Sequence, residues 1–329
     1  MQKGKTHMDE ITRQKLYEVL GERLQEDVRL DNYTTIQIGG TADALVIAHN
    51  AKDLQFFAQK AWQMDVPLLV LGSGSNVLVS DSGVRGLVII NHAHNIHINT
   101  RNVPYSVTAE SGALMAKVSQ QLALRGLSGL EWAASIPGTV GGAVYGNAGC
   151  FGQDIGCNLM HASILHHEQG VQDWPAESLN FIYRASALKQ HPEKALILSA
   201  TFSVKPDDPS QIKARMEKNK ERRQQTQPIG ASMGSVFRNP LGDKAGRLIE
   251  EAGLKGQRKG GAIISPMHAN FILNAGGASA QDVWELIDIV QRAVEKKFGL
   301  LLHPEMQLVG DWDQKILKRF ADFTPREEA

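Results

Sequence analysis

An α+β fold is expected from three observations. Between Thr34 and about Lys205, short β-like runs follow one another with only two helical stretches among them, not a strict β-α-β alternation. A second unit with its own apolar segments begins near Pro228. The 329 residues suffice for two or three domains with proper cores.

In chain order, residues 9–27 read as a short amphipathic helix followed by a loop. The β-like runs are Leu45–Ala48, Leu68–Leu71, Gly86–Ile90, Tyr105–Ala109, Ala162–His166 and Ala195–Val204. Leu54–Met64 reads as a helix with Asp53 placed as its N-cap. Ala113–Arg125 reads as another, because Leu114, Val118 and Leu122 recur on one face. Residues 210–227 are polar, basic and helical in pattern; a solvated face and an anion-binding face explain them equally well. In the second unit come Leu248–Ala252, the apolar patch Ala262–Leu273 and a helix at about Ala280–Phe298. That helix opens on a capping box, Ser279 with Asp282, and stops at Gly299. The tail after Gly310 is charged and reads as loose.

Two glycine-rich tracts carry most of the chemistry. The first, Gly72-Ser73-Gly74-Ser75-Asn76, lies between two apolar runs. The second runs from Ser135-Ile136-Pro137-Gly138-Thr139-Val140-Gly141-Gly142-Ala143 to Gly146-Asn147-Ala148-Gly149. Glycine permits positive φ and lets a ligand approach the backbone N–H groups, so the pair suits a long polar cofactor with phosphates. A dinucleotide fingerprint fails, because its third glycine falls on Val77 and a β-like run follows instead of a helix. A Walker loop fails as well, since Gly4-Lys5-Thr6 lacks both the earlier glycine and a preceding strand.

Three further clusters stand out. Phe181-Ile182-Tyr183-Arg184-Ala185-Ser186 places a guanidinium among apolar neighbours, which taken alone is explained by an ion pair. Gly234-Ser235-Val236-Phe237-Arg238-Asn239-Pro240 offers polar groups on a tight path, with no nucleophile elbow around Ser235. Leu302-His303-Pro304-Glu305-Met306 sets a carboxylate before a β-like run; alone it could be a surface glutamate.

Composition narrows the class. Lys+Arg and Asp+Glu both number 35, so no global field favours nucleic acid or an anionic membrane. Two cysteines, Cys150 and Cys157, argue against a disulfide framework, and their spacing does not suit a metal site. The polar start lacks a secretory apolar region, and no run reaches the ~18 residues of a spanning helix. A cytoplasmic protein without an obligate protein partner is expected.

Taken in order, these pieces resemble the UDP-N-acetylenolpyruvoylglucosamine reductase family. The resemblance runs from Asn32-Tyr33-Thr34-Thr35 to Gly310 through Gly39-Gly40-Thr41-Ala42, both glycine tracts, Tyr183-Arg184-x-Ser186 and Gly234–Pro240. Ala252-Gly253-Leu254-Lys255-Gly256, His268-Ala269-Asn270-Phe271 and Pro304-Glu305 complete it. It implies a two-part FAD-binding unit of the vanillyl-alcohol-oxidase type plus a C-terminal α+β substrate-binding domain. The expected divisions are an N-terminal extension (1–30), the FAD-binding domain (31–207), the substrate-binding domain (208–310) and a charged tail (311–329).

The implied reaction is NADPH-dependent reduction of UDP-N-acetylglucosamine enolpyruvate through bound FAD, in the shorter, type II form of the enzyme. Another FAD-dependent oxidoreductase of the same fold is the alternative, and a non-enzymatic flavoprotein is a more distant one. The resemblance gives Arg184 and Glu305 the enolate, with Glu305 protonated and buried, and gives Ser235 the proton for C2. It assigns FAD to Gly72, Ser73, Gly74, Ser75, Asn76, Ser135, Ile136, Pro137, Gly138, Gly141, Gly142, Asn147 and Ala148. Substrate falls to Tyr183, Arg223, Asn239 and Lys255, and no residue is assigned to a metal. His303 and Ile229–Met233 depart from the family pattern, the first beside the active carboxylate.

Overall fold

The computed structural model describes residues 8–190 and 195–322. The polar first residues and the end of the charged tail lie outside this range. No helix among the described residues is long and apolar enough to cross a membrane.

Three sheets organise the chain. The first has the order Gln25–Arg29, Thr41–Ala48, Val84–Asn91, Leu68–Leu71. Its last three strands are parallel, while Gln25–Arg29 joins antiparallel at the edge. Thr41–Ala48 and Val84–Asn91 are buried almost continuously, as parallel strands covered on both faces should be. Helix Ala51–Gln63 covers one face through Leu54, Phe57, Ala58 and Ala61. Its cap is Asn50, whose side chain accepts from the Asp53 N–H, so the expected Asp53 cap is displaced by one turn. Asp53 instead accepts from the His49 N–H and from the Asn50 side-chain amide, both at 3.0 Å.

The second sheet is antiparallel, in the order Gly170–Pro175, Leu159–His166, Ala195–Ser203, Ser106–Glu110, Ile96–Asn99. Helix Met115–Ala123 packs beside it through Met115, Val118 and Leu122. Leu165 and Leu198 reach from this sheet into the core under Ala51–Gln63, joining the two sheets. The third sheet, Ala231–Ser235, Phe271–Asn274, Ala262–Ile264, Arg258–Lys259, is covered by helix Ala280–Phe298. The capping box of Ser279 and Asp282 and the left-handed Gly299 bound that helix as the sequence indicates.

The units are tied across long sequence separations. Gln307–Val309 pairs in parallel with Val77–Val79. The Asp81 carboxylate accepts from the N–H groups of Ala280 and Gln281, at 2.8 and 3.0 Å. Leu78 shares a core with Val236, Phe237, Leu302 and Met306.

Two expectations are corrected. The loop within residues 9–27 contains the edge strand Gln25–Arg29, whose alternation is masked because most of its side chains are exposed. The loose tail is anchored as far as residue 322. Trp312 is buried and donates to the Val309 carbonyl at 2.8 Å, and helix Gln314–Asp322 packs Ile316, Leu317 and Phe320 on the core. Trp312→Ala should therefore lower stability by ~3–5 kcal/mol, read as a fall in the urea midpoint. An unchanged midpoint would mean that this segment carries no folding energy.

Candidate active site

The two glycine tracts meet face to face. A Cβ on Gly72 would lie 2.3 Å from Thr139 Oγ1, and one on Gly138 would lie 3.1 Å from Ser75 Oγ. Gly74 has φ +58°, and a Cβ there would come within 2.2 Å of the Tyr33 carbonyl oxygen. Glycine is thus demanded by close packing at Gly72 and by both conformation and packing at Gly74. Among the described residues, the N–H groups of Ser73, Gly74 and Ser75 donate no hydrogen bond to the protein. Part of the second tract is a short helix, Val140–Tyr145.

These tracts form one wall of a cavity of about 480 Å³, within the range of small-molecule sites. Residues 72–76 line it, with Ile136, Pro137, Gly138, Gly141, Gly142 and Ala148. Arg184, Arg223, Ser235 and Glu305 line the same space. A second recess of about 320 Å³ adjoins it, sharing Pro137, Arg223, Gln227, Gly234 and Phe271, and includes Ser135. The Ser135 hydroxyl is buried without a hydrogen-bond partner.

Glu305 precedes strand Gln307–Val309, and its backbone is held on both sides. Its N–H donates to the Val236 carbonyl at 2.8 Å, and Asn76 Nδ2 donates to its carbonyl at 3.3 Å. The side chain is 18% exposed and lies 2.9 Å from Arg184 Nε. The two side chains are in contact there, although the Nε–H is not directed at a hydrogen-bond acceptor. Burial raises the Glu305 pKa and wins over the opposing charges of Arg184, Lys189 and Arg238.

Arg184 itself has φ +62° and anchors one end of its guanidinium on the Gly149 carbonyl at 2.8 Å. Ser235 ends its strand after Gly234, whose φ is +78°. Asn270 fixes the following turn, accepting from the Phe237 N–H at 2.9 Å and donating to the Phe237 carbonyl at 2.8 Å.

The remaining expected residues separate. Asn147 is buried and does not line the cavity; its amide donates to Asp154 and to the Ile182 carbonyl, tying the second tract to the Arg184 turn. Tyr183 is exposed and stacks against the Arg184 guanidinium at 5.3 Å, outside the cavity wall. Asn239 caps helix Ala245–Glu251, accepting from the Ala245 N–H at 3.0 Å. Lys255 pairs with Glu250 at 2.6 Å. Neither of these lines either recess.

On the basic helix Pro209–Thr226, both explanations hold for different residues. Arg223 enters the cavity, Arg215 is tied to Glu131 and Asp207, and Lys213 and Lys218 are exposed. Two lining cations, Lys189 and Cys150's neighbour Arg223, feel strong burial. Lys189 is absent from the sequence reading, although it follows Tyr183-Arg184-x-Ser186 by three residues. Cys150 donates weakly to the Trp132 carbonyl, and burial pushes its thiol up to about 11, so it is no nucleophile at neutral pH.

Residues 42–162 match a family described as an FAD binding domain. Residues 224–309 match the C-terminal domain of UDP-N-acetylenolpyruvoylglucosamine reductase. The chain is similar to the UDP-N-acetylenolpyruvoylglucosamine reductase of Bacillus licheniformis, 42% identical over 306 residues that cover 92% of this chain and 99% of that protein. The Bacillus subtilis protein of the same name is 44% identical over 283 residues, covering 85% and 92%. The crystal structure of UDP-N-acetylenolpyruvylglucosamine reductase from Thermus caldophilus superposes with a TM-score of 0.74 at 35% identity, covering 87% of this chain and 99% of that one.

The buried carboxyl has a stability consequence. With its pKa raised in the folded state, Glu305 binds more protons folded than unfolded, so its contribution to stability falls as pH rises through that range. Glu305→Gln should raise the urea midpoint at neutral to alkaline pH. The gain should shrink on acidification and vanish below the ordinary glutamate value of 4.5. A pH-independent difference would contradict the raised pKa.

Proposed function

Because the chain belongs to the UDP-N-acetylenolpyruvoylglucosamine reductase family, we propose that it is an FAD-containing oxidoreductase. In this reading it uses NADPH to reduce UDP-N-acetylglucosamine enolpyruvate to UDP-N-acetylmuramate in peptidoglycan precursor synthesis. The observation that carries the reading is one cavity lined by both glycine tracts together with Arg184, Ser235 and Glu305. A division into an FAD-binding domain over 31–207 and a substrate domain over 208–310 belongs to the same proposal, as does a cytoplasmic site of action.

The residues present suit FAD. Gly72 and Gly74 leave no room for a side chain, unused N–H groups follow Gly72, and the Ser135 hydroxyl is an unpaired buried donor. Such a set fits a pyrophosphate and the polar chain of an extended dinucleotide. Residues 72–76, Ser135, Ile136, Pro137, Gly138, Gly141, Gly142 and Ala148 would hold it, with Asn147 fixing the geometry from behind. When bound there, FAD would supply hydride transfer between NADPH and C3 of the enolpyruvyl group.

The chain's own residues must then manage the charge. Hydride at C3 leaves an electron pair at C2 that delocalises into the substrate carboxylate as an enolate. The Arg184 guanidinium stabilises that enolate, an interaction that grows toward the transition state. Glu305, whose pKa burial raises, donates a hydrogen bond to the same carboxylate in its protonated form. Ser235 gives its hydroxyl proton to C2 and regains one from solvent. The enolate carbon is a strong enough base to make a serine hydroxyl a competent acid. Arg223, in both recesses, faces the diphosphate of the sugar nucleotide, and Tyr183 braces Arg184. For Asn239 and Lys255 the contacts favour structural roles over substrate binding.

Purified protein should be yellow. Anaerobic NADPH should bleach it, and the enolpyruvyl sugar nucleotide should restore the colour. Ser235→Ala should bleach normally but recover ~10²–10⁴-fold more slowly. Recovery at the wild-type rate would remove Ser235 as the acid. Rapid reoxidation by oxygen with no response to the sugar nucleotide would overturn the substrate assignment.

A further inference from the structure

We propose that Lys189 is a positioning residue of this site: its ammonium fixes the backbone that presents Arg184 to Glu305 and supplies a further cation facing the substrate carboxylate. The inference rests on the reductase reading above and adds to it a residue outside the Arg184, Ser235 and Glu305 set.

Arg184 carries the first argument. Its φ of +62° is a left-handed conformation that an L-residue rarely adopts. The turn that imposes it is closed by two backbone hydrogen bonds between Ile182 and Ala185, at 3.1 and 3.2 Å. Each flank has a side-chain tether: Asn147 Nδ2 donates to the Ile182 carbonyl at 3.0 Å, and Ser186 Oγ donates to the Tyr145 carbonyl at 2.7 Å. The Arg184 carbonyl at the centre of the turn receives Lys189 Nζ at 3.1 Å. Lys189 reaches back to it from the short helix Ala187–Gln190.

Placement is the second argument. Lys189 lines the same cavity as Arg184 and Glu305. The charged groups acting on it are Arg184 from its own turn, Arg238 beyond strand Ala231–Ser235, and Glu305 before strand Gln307–Val309. Arg223 and the neutral Cys150 thiol lie on the same wall. An ammonium set in a cavity wall beside two guanidinium groups and one carboxylate loses hydration and meets net repulsion. Beyond its bond to the Arg184 carbonyl, such a group gains further when an anion enters, so a bound carboxylate accounts for its place at the cavity. Burial and the two arginines bring its pKa down to about 8, so its charge is lost within an accessible pH range.

The test uses the flavin-loaded enzyme, with affinity for the enolpyruvyl sugar nucleotide measured on the oxidised form and the two half-reactions followed by flavin absorbance. Wild-type affinity should weaken in a step centred near about 8 as the ammonium deprotonates. Lys189→Arg, always charged, should keep affinity at neutral pH within ~3-fold and lose that step. Lys189→Met should bind at least ~10-fold more weakly at neutral pH, lack the step, and still be reduced by NADPH within ~2-fold of wild type.

Glu305 feels a cation at position 189 in wild type and in Lys189→Arg alike, so a difference in the step between these two belongs to residue 189. A lysine that merely supports the fold would leave the step in place in Lys189→Arg, or slow both half-reactions of Lys189→Met alike; either result overturns the proposal. If Lys189→Met does not fold, the step in Lys189→Arg decides alone. A wild type that neither binds nor is reoxidised by the sugar nucleotide would instead refute the reductase reading.

Discussion

The pairing of Gln307–Val309 with Val77–Val79 is the constraint on which the site depends. It joins segments about 230 residues apart and sets Glu305 directly against the end of the first glycine tract, where Asn76 holds its carbonyl. The pairing is parallel, so no hairpin can bring it about; it needs the whole intervening chain to fold back. The surrounding ties point the same way. Asp81 caps helix Ala280–Phe298, the Ser80 hydroxyl donates to the Asp311 carbonyl at 2.6 Å, and Asn274 Nδ2 donates to the Ile36 carbonyl at 3.1 Å. Leu78, Ile36 and Ile38 then bury with Val236, Leu302 and Met306 in one core. A cavity walled by both units cannot open without breaking that core, so the distance between cradle and carboxylate is set by folding.

Within that frame, electrostatics decide how the cavity behaves. Three cations, Arg184, Lys189 and Arg238, act on one carboxyl, and each favours its ionised form. Burial nevertheless prevails and raises its pKa. The outcome is a carboxyl that holds its proton to higher pH than an ordinary glutamate although it stands among positive charges.

Most of the sheet strands and the long helices are legible in the sequence because their apolar periodicity is strong, as along Ala280–Phe298 with its capping box. The edge strand Gln25–Arg29 and the outer strand Gly170–Pro175 are not, since exposed positions weaken the alternation. The anchoring of Trp312 depends on a surface made by distant segments, and no local pattern announces it. Site residues follow the same division. Arg184, Ser235 and Glu305 are marked by their motifs and meet at one cavity. Asn239 and Lys255 belong to those motifs too, yet their side chains are engaged locally, by the Ala245 N–H and by Glu250. Residues in a motif can serve its backbone as readily as its ligand. Lys189 shows the converse, because a lysine in a short helical turn has no sequence signal until the turn is seen to aim it inward.

The glycine tracts, too, divide between ligand and fold. At Gly72, Gly138 and Gly141 the missing Cβ is needed because Thr139, Ser75 and Ser111 approach from within the protein. Close contact between the tracts brings the backbone N–H groups of the first onto the cavity floor, as a wider separation filled by side chains would not. A dinucleotide fold achieves this with one glycine turn at a helix N-terminus. Here the helix that follows the second tract is only Val140–Tyr145, and the N–H groups of Val140 and Gly141 are already taken by the carbonyls of Ala113 and Ser111. The helix end is therefore committed to the fold. In the function proposed above, phosphate recognition would therefore fall to the first tract, where Ser73, Gly74 and Ser75 line the cavity with their N–H groups unused.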